Sequence, residues 1–442
     1  MRLHAKILFT DTTQSASCAE NIARRYFTPI ETLGAPVSVP TQQLLGNESN
    51  VLLTRFSGIL ADNTNGSSDS GNNSSTNDAA ALSARDQLCV LKMLDIEAME
   101  QNYTACTNSR SALQYSCWME IQMLLSVRKL LLRRATPCFA YMYNFFIIEP
   151  PRTPAPRSPV YLTICCEFLS RITLGKWLEQ HIVNCRHFHH ISNQIRLKTR
   201  AKTHQHLMGQ FQTLFLHIFV ALLCLHDETK SNHHDLHLSN ILMVQSRESA
   251  KHFAYILGDG SGPQRCYVVP NNLGEALQQL PVICDFGVAA DGTAAQNTNY
   301  AQQYRTTMFC AFHTSKDGVK SGAKCKQAFF CDVLRLLNAV HQHLQRYGDR
   351  VASHRRRAQQ MAIVMSAFTP FDLLRRHLND CKRTSCLNCK FDNLADLIDQ
   401  VFAPLLVSRE LEQQCKNDAK LGQPNNSVAY YYCERQQEAK PW

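Results

Sequence analysis

The sequence predicts an α+β protein built as two lobes, a small sheet-rich one followed by a larger helical one. Three observations carry this reading. Strand signals concentrate before residue 170 and helix signals after it. The chain has 442 residues, long for one ordinary domain and natural for two lobes. Two segments that cannot enter a core, 62–78 and 149–159, punctuate the first part. Apolar residues make up 45% and charged residues 19%, so a sizeable core is affordable and global disorder is excluded.

Taken in order, residues 1–40 form an N-terminal extension. Its apolar patch, Ile7-Leu8-Phe9, is too short for a secretory h-region. Val51–Leu60 and Leu88–Leu94 read as strands on either side of a polar tract, 62–78, that lacks any large apolar residue. Tyr115–Arg133 carries Glu120, Leu124, Val127 and Leu131 at helical spacing. Pro137–Ile148 and Val160–Phe168 are strands flanking the proline-rich bend 149–159. Residues 186–206 are crowded with Arg, Lys and His and read as a solvated insertion or helix face, with a polyanion-docking patch as the rival.

Gln205–His226 is apolar on nearly all sides, as a helix at the centre of a lobe should be. Its apolar run, Leu214–Leu225, is broken by His217 and is too short to span a bilayer. Gln327–Leu344 is a further amphipathic helix, and 408–442 is read as a tail.

The formal net charge is +10 and there are 19 cysteines, odd in number and without a regular framework. The cysteine pattern predicts a soluble protein of a reducing, intracellular compartment. The charge is compatible with a nucleic-acid partner, but nothing further points to one, and the oligomeric state is not legible.

The stretch that carries chemistry is Asn232-His233-His234-Asp235-Leu236-His237-Leu238-Ser239-Asn240-Ile241-Leu242, followed by Val282-Ile283-Cys284-Asp285-Phe286-Gly287. Phosphoryl transfer needs a carboxylate to orient the accepting hydroxyl and oxygen ligands to hold Mg²⁺ on the phosphates. Asp235 suits the first task; Asn240 and Asp285, at a strand end, suit the second.

These residues resemble the catalytic and magnesium loops of the protein-kinase superfamily, His-Arg-Asp-x-x-x-x-Asn and Asp-Phe-Gly. His234 stands where that pattern has arginine, and His237 where serine/threonine kinases commonly have lysine. The variant looks like the loop of divergent kinases of large DNA viruses and is similar to that of haspin-type kinases. Aminoglycoside and choline kinases share a His-x-Asp-Leu-His-x-x-Asn loop as well.

The resemblance implies a two-lobed kinase-like fold over about residues 41–407, an N-lobe at 41–165 and a C-lobe at 166–407. Residues 246–280 are then an insertion between the two loops, with Phe253–Leu257 and Cys266–Val269 as a hairpin around Gly258–Gly262.

It further implies ATP and Mg²⁺ as cofactors and a protein substrate, serine/threonine rather than tyrosine, with host cytoplasm or nucleus as the compartment if the chain is viral. Cys89-Val90-Leu91-Lys92 resembles the strand whose lysine contacts the phosphates. Glu120 is the preferred ion-pair partner, because an acid on an apolar stripe needs a cation; Glu97 and Glu100 are rivals. Gly46 alone remains of the phosphate-covering glycine loop, which leaves a pseudokinase as the rival from another class.

Glu167, in Cys166-Glu167-Phe168-Leu169, resembles the hinge that contacts adenine. Thr173 would cap the next helix. Asp332, in an apolar setting, resembles the aspartate that braces the catalytic loop. No Ala-Pro-Glu motif follows Asp285, and Thr306 and Thr307 read as ordinary loop threonines.

Separately, Cys381, Cys386 and Cys389 form C-x₄-C-x₂-C, with Cys415 or His377 as a candidate fourth zinc ligand and unligated thiols as the plainer reading.

Overall fold

A computed structural model of the chain describes residues 49–56, 87–95, 117–148, 161–170, 172–183, 196–229, 231–246, 250, 252–258, 265–271, 279–287, 289–291, 330–384, 389–403 and 428–434. The protein is α+β. By contacts it divides into two compact units, 1–121 with 141–168, and 122–140 with 169–442.

The first unit contains a four-stranded antiparallel sheet of β1 (Ser49–Phe56), β2 (Gln87–Asp95), β3 (Met142–Ile148) and β4 (Tyr161–Glu167), in the order β1-β2-β4-β3. Lys92 sits opposite Val51 on one side and Ile164 on the other. Leu94, Phe145, Leu162 and Ile164 are buried there. Helix α1 (Cys117–Leu132) follows β2 in sequence, and the division between the units falls within it, after Ile121.

The second unit is mostly helical. A short helix α2 (Leu174–Trp177) is capped by the Thr173 side chain, which accepts the Lys176 N–H, and runs on into a π turn at Leu178–Val183. The central helix α3 (Arg196–Thr229) begins inside the basic run, so 196–206 is helix rather than inserted loop. Its apolar faces pack in all directions, which is why the sequence lacks a polar stripe.

Phe211, Phe215 and Phe219 of α3 meet Phe368, Phe371 and Phe402, with Phe215 and Phe371 ring centres 4.4 Å apart. By length and composition α3 could cross a membrane. The apolar window of that helix is 83% buried inside the protein, as in a core helix.

Among the described residues the unit has three further helices: α4 (Phe330–Val351), α5 (Arg355–Thr384) and α6 (Leu394–Val401). The sequence reading did not foresee α5 or α6. Pro370 lies inside α5 and removes one N–H, but Pro370 and Ser366 face solvent, where the released carbonyl is accessible to water. The buried stripe Met361, Val364, Phe368, Phe371, Leu374, Leu378 outweighs that cost.

The stretch between the two motif loops forms the expected antiparallel hairpin, β7 (His252–Gly258) with β8 (Arg265–Pro270). An unforeseen strand, β11 (Val428–Glu434), lies parallel to β7. Part of the expected tail therefore belongs to a sheet.

His217, the residue that interrupts the apolar run, is fully buried and shares a hydrogen bond with the Tyr255 hydroxyl of β7. Burial lowers its pKa from 6.5 to about 3. Between those values the unfolded chain binds a proton that the folded chain refuses. Stability should therefore fall as pH drops from 6.5. His217→Gln should flatten this acid limb, read from urea midpoints at about pH 7 and about pH 4.5. Equal slopes for wild type and variant would remove His217 as the cause.

Candidate functional site

Two short ladders bring the motif loops of the second unit together. β5 (Ser231–Asn232), directly after α3, pairs with β10 (Ala290–Asp291). β6 (Ile241–Gln245) pairs with β9 (Gln279–Ile283), Ile241 opposite Ile283. The loop 233–240 thus runs between β5 and β6, and the loop 284–289 between their partners. The Cys284 N–H donates to the Asn240 carbonyl at 3.0 Å, closing the two loops on each other.

Asp332, in the first turn of α4 and 2% exposed, anchors the first loop. Its Oδ2 accepts the His233 N–H at 2.6 Å and its Oδ1 the His234 N–H at 2.8 Å. Both carboxylate oxygens are therefore spent on buried backbone donors, so this aspartate is not a surface acid. The arrangement holds His234 at φ 60°, a left-handed conformation a β-carbon disfavours. Asp285 has φ 65°. Of three described non-glycine residues at positive φ, two are in these loops. Backbone strain of that kind persists where surrounding bonds over-determine it, and it clusters at functional sites.

Asp235 is half-buried. Asn240 Nδ2 donates to its carbonyl at 3.0 Å and to Oδ2 at 3.4 Å. Arg335 bonds Asp235 Oδ1 and donates through Nη1 to the His234 carbonyl at 2.6 Å. His237 Nε2 is 3.6 Å from Oδ2. Burial raises the Asp235 carboxyl, but the His237 hydrogen bond and the charges of Arg335, His237 and His233 outweigh it. The net result is a carboxyl below its usual range, ionised at neutral pH.

With Nδ2 turned to Asp235, Asn240 has its side-chain oxygen to offer a cation. His233 accepts from the Asp235 N–H at Nδ1 and bonds the Cys284 carbonyl through Nε2, at 3.2 and 3.0 Å. Its ring lies 5.0 Å from that of buried Phe286, which is 6.0 Å from Phe139. Phe286 thus anchors the second loop and leaves Asp285 exposed at its tip.

In the first unit, Lys92 Nζ bonds both carboxylate oxygens of Glu120 at 2.8 and 3.0 Å. Glu120 is almost fully buried, and its desolvation is offset by this two-pronged contact. Glu97 and Glu100, the rivals, lie outside the described residues, as does Gly46. Glu167 ends β4; its N–H donates to the Tyr141 carbonyl, and its Oε1 accepts the Tyr141 N–H, both at 2.9 Å. This residue therefore has no backbone donor left for a base, and the expected adenine contact by Glu167 loses that means.

Sequence reasoning missed Arg335. Its signal was the spacing from Asp332: three residues on a helix share a face, so an arginine there reaches the loop that the aspartate holds. Thr306 and Thr307 lie outside the described residues. No protein-family model matches the chain, and no curated protein matches it.

Proposed function

We propose that the protein is an ATP- and Mg²⁺-dependent phosphotransferase with a kinase-like two-lobed fold, directed at serine or threonine hydroxyls of a protein. The observation that carries this is the pair of strained loops bearing Asp235, Asn240 and Asp285, one bolted to Asp332 through two backbone bonds. An ionised Asp235 would accept a hydrogen bond from the attacking hydroxyl and take its proton as the hydroxyl oxygen bonds to the γ-phosphorus, while the bond from that phosphorus to the β,γ-bridging oxygen breaks and ADP leaves. Asn240 and Asp285 offer hard oxygen donors, the set Mg²⁺ prefers, and the ion would neutralise charge on the phosphates.

Lys92, oriented by Glu120, is the natural contact for the phosphates. The long segment after Asp285 supports a protein rather than a small-molecule acceptor.

The test is transfer from γ-labelled ATP to protein acceptors, run beside aminoglycosides and choline, after Mg-ATP binding has been measured by thermal shift. Labelled protein supports the reading. Label on small molecules alone would move the chain to the other phosphotransferases sharing this loop. Mg-ATP binding without transfer would make it a pseudokinase.

Asp285→Ala should lose the Mg²⁺ enhancement of nucleotide binding, about tenfold or more, while still folding. A folded variant whose binding still rises with Mg²⁺ would remove Asp285 from the metal.

A further inference from the structure

Away from these loops, one cluster brings soft donors together. His377 and Cys381 stand four residues apart on α5, hence on one face. Cys389 comes back to them beyond the end of the helix. One ring nitrogen of His377 and the two sulfurs all lie within 4.8 Å of one another.

The His377 Nε2 to Cys381 Sγ distance is 3.5 Å. A tetrahedral zinc with ordinary bond lengths separates a nitrogen and a sulfur by about 3.6 Å, and two sulfurs by about 3.8 Å. An S–H···N hydrogen bond would account for His377 and Cys381 alone, but not for the third donor converging on them. Cys381 is 4% exposed, and buried Phe391 meets the His377 ring edge-on at 5.6 Å, fixing its orientation.

The Lys390 N–H reaches Nε2 at only 3.5 Å, a long bond that a metal would replace.

We propose that His377, Cys381 and Cys389 form a structural zinc site that ties the end of α5 to the segment entering α6. Thiolate and imidazole donors in this geometry favour zinc over the hard cations. Binding releases the two thiol protons and leaves one tetrahedral position for a water or another sulfur. Cys386 and Cys415 lie outside the described residues, and the site is defined without them. It does not rest on the phosphotransfer reading, and its test uses no activity.

The full-length chain, stripped with a chelator, is titrated with Zn²⁺ alone and, separately, with Co²⁺ alone. Wild type should bind about one zinc per chain, regain several degrees of melting temperature, and give a thiolate-to-cobalt charge-transfer band. Cys389→Ser, at a half-buried position, should fold, bind at least tenfold more weakly, and lose intensity in that band. Cys381→Ser should behave likewise if it folds. Wild type that takes up no zinc, or Cys389→Ser that keeps wild-type affinity and an unchanged cobalt spectrum, would overturn the site.

Discussion

Asp235→Asn should reduce phosphate transfer by about two orders of magnitude or more, the usual loss when an acid–base group is removed. Nucleotide binding should survive, because Lys92, Asn240 and Asp285 are untouched. Asparagine keeps the shape, its one side-chain oxygen can still accept from Arg335, and the Asn240 Nδ2 bond to the backbone carbonyl is untouched, so only the long contact to Oδ2 is lost and the loop should hold. What disappears is the negative charge that the hydroxyl proton moves toward.

The pH dependence has a definite sign. The Asp235 carboxyl lies below its ordinary value of 3.8, so lowering pH through the neutral and mildly acid range should not protonate it. Any fall in rate there must come from another group. Transfer by the asparagine variant at the wild-type rate would mean that Asp235 is not the group orienting the acceptor. The kinase reading would fall with it.

How much of this was legible in the sequence varies with the physics of each part. The convergence of the two loops was, because each polar motif stands beside an apolar strand signal, and those strands pair. The core helix was, because an all-apolar run of that length has few other uses. Lys92–Glu120 was legible through a single argument, that an acid on an apolar stripe needs a cation. Helix α5 was not: Pro370 and the clustered arginines at 355–357 and 375–376 mask an apolar stripe whose partners, Phe211 and Phe215, are far away in sequence.

The β11 strand was hidden for a similar reason. Val428–Glu434 is a strand only because β7 supplies a ladder beside it, and β-propensity is largely a statement about neighbours. The Asp235–Arg335 contact was hidden because a loop residue and a helix residue 100 positions apart leave no local pattern. For Glu167 the motif position suggested a backbone contact with adenine, while the bonds of its N–H and Oε1 to Tyr141 left no local pattern to read.

Asp332→Ala should cost about 2–5 kcal/mol of stability, and this expectation stands whether or not the protein transfers phosphate. The side chain is 2% exposed and does one job, accepting the His233 and His234 N–H groups. Alanine leaves both donors buried without an acceptor, at about 1–3 kcal/mol each. Relaxation of His234 from φ 60°, a conformation that costs a β-carbon-bearing residue about 1–2 kcal/mol, offsets part of that loss. Once unpinned, the loop should relax toward an ordinary backbone, shifting Asp235 away from Arg335 and reducing any transfer with it.

Asp332→Asn keeps one acceptor oxygen but turns an NH₂ toward the other backbone N–H, so it should lie between wild type and alanine. Urea unfolding gives the free energies, and amide exchange at His233 and His234 reports the loop directly. An alanine variant with wild-type stability and undiminished protection at both amides would show that these bonds do not hold the loop.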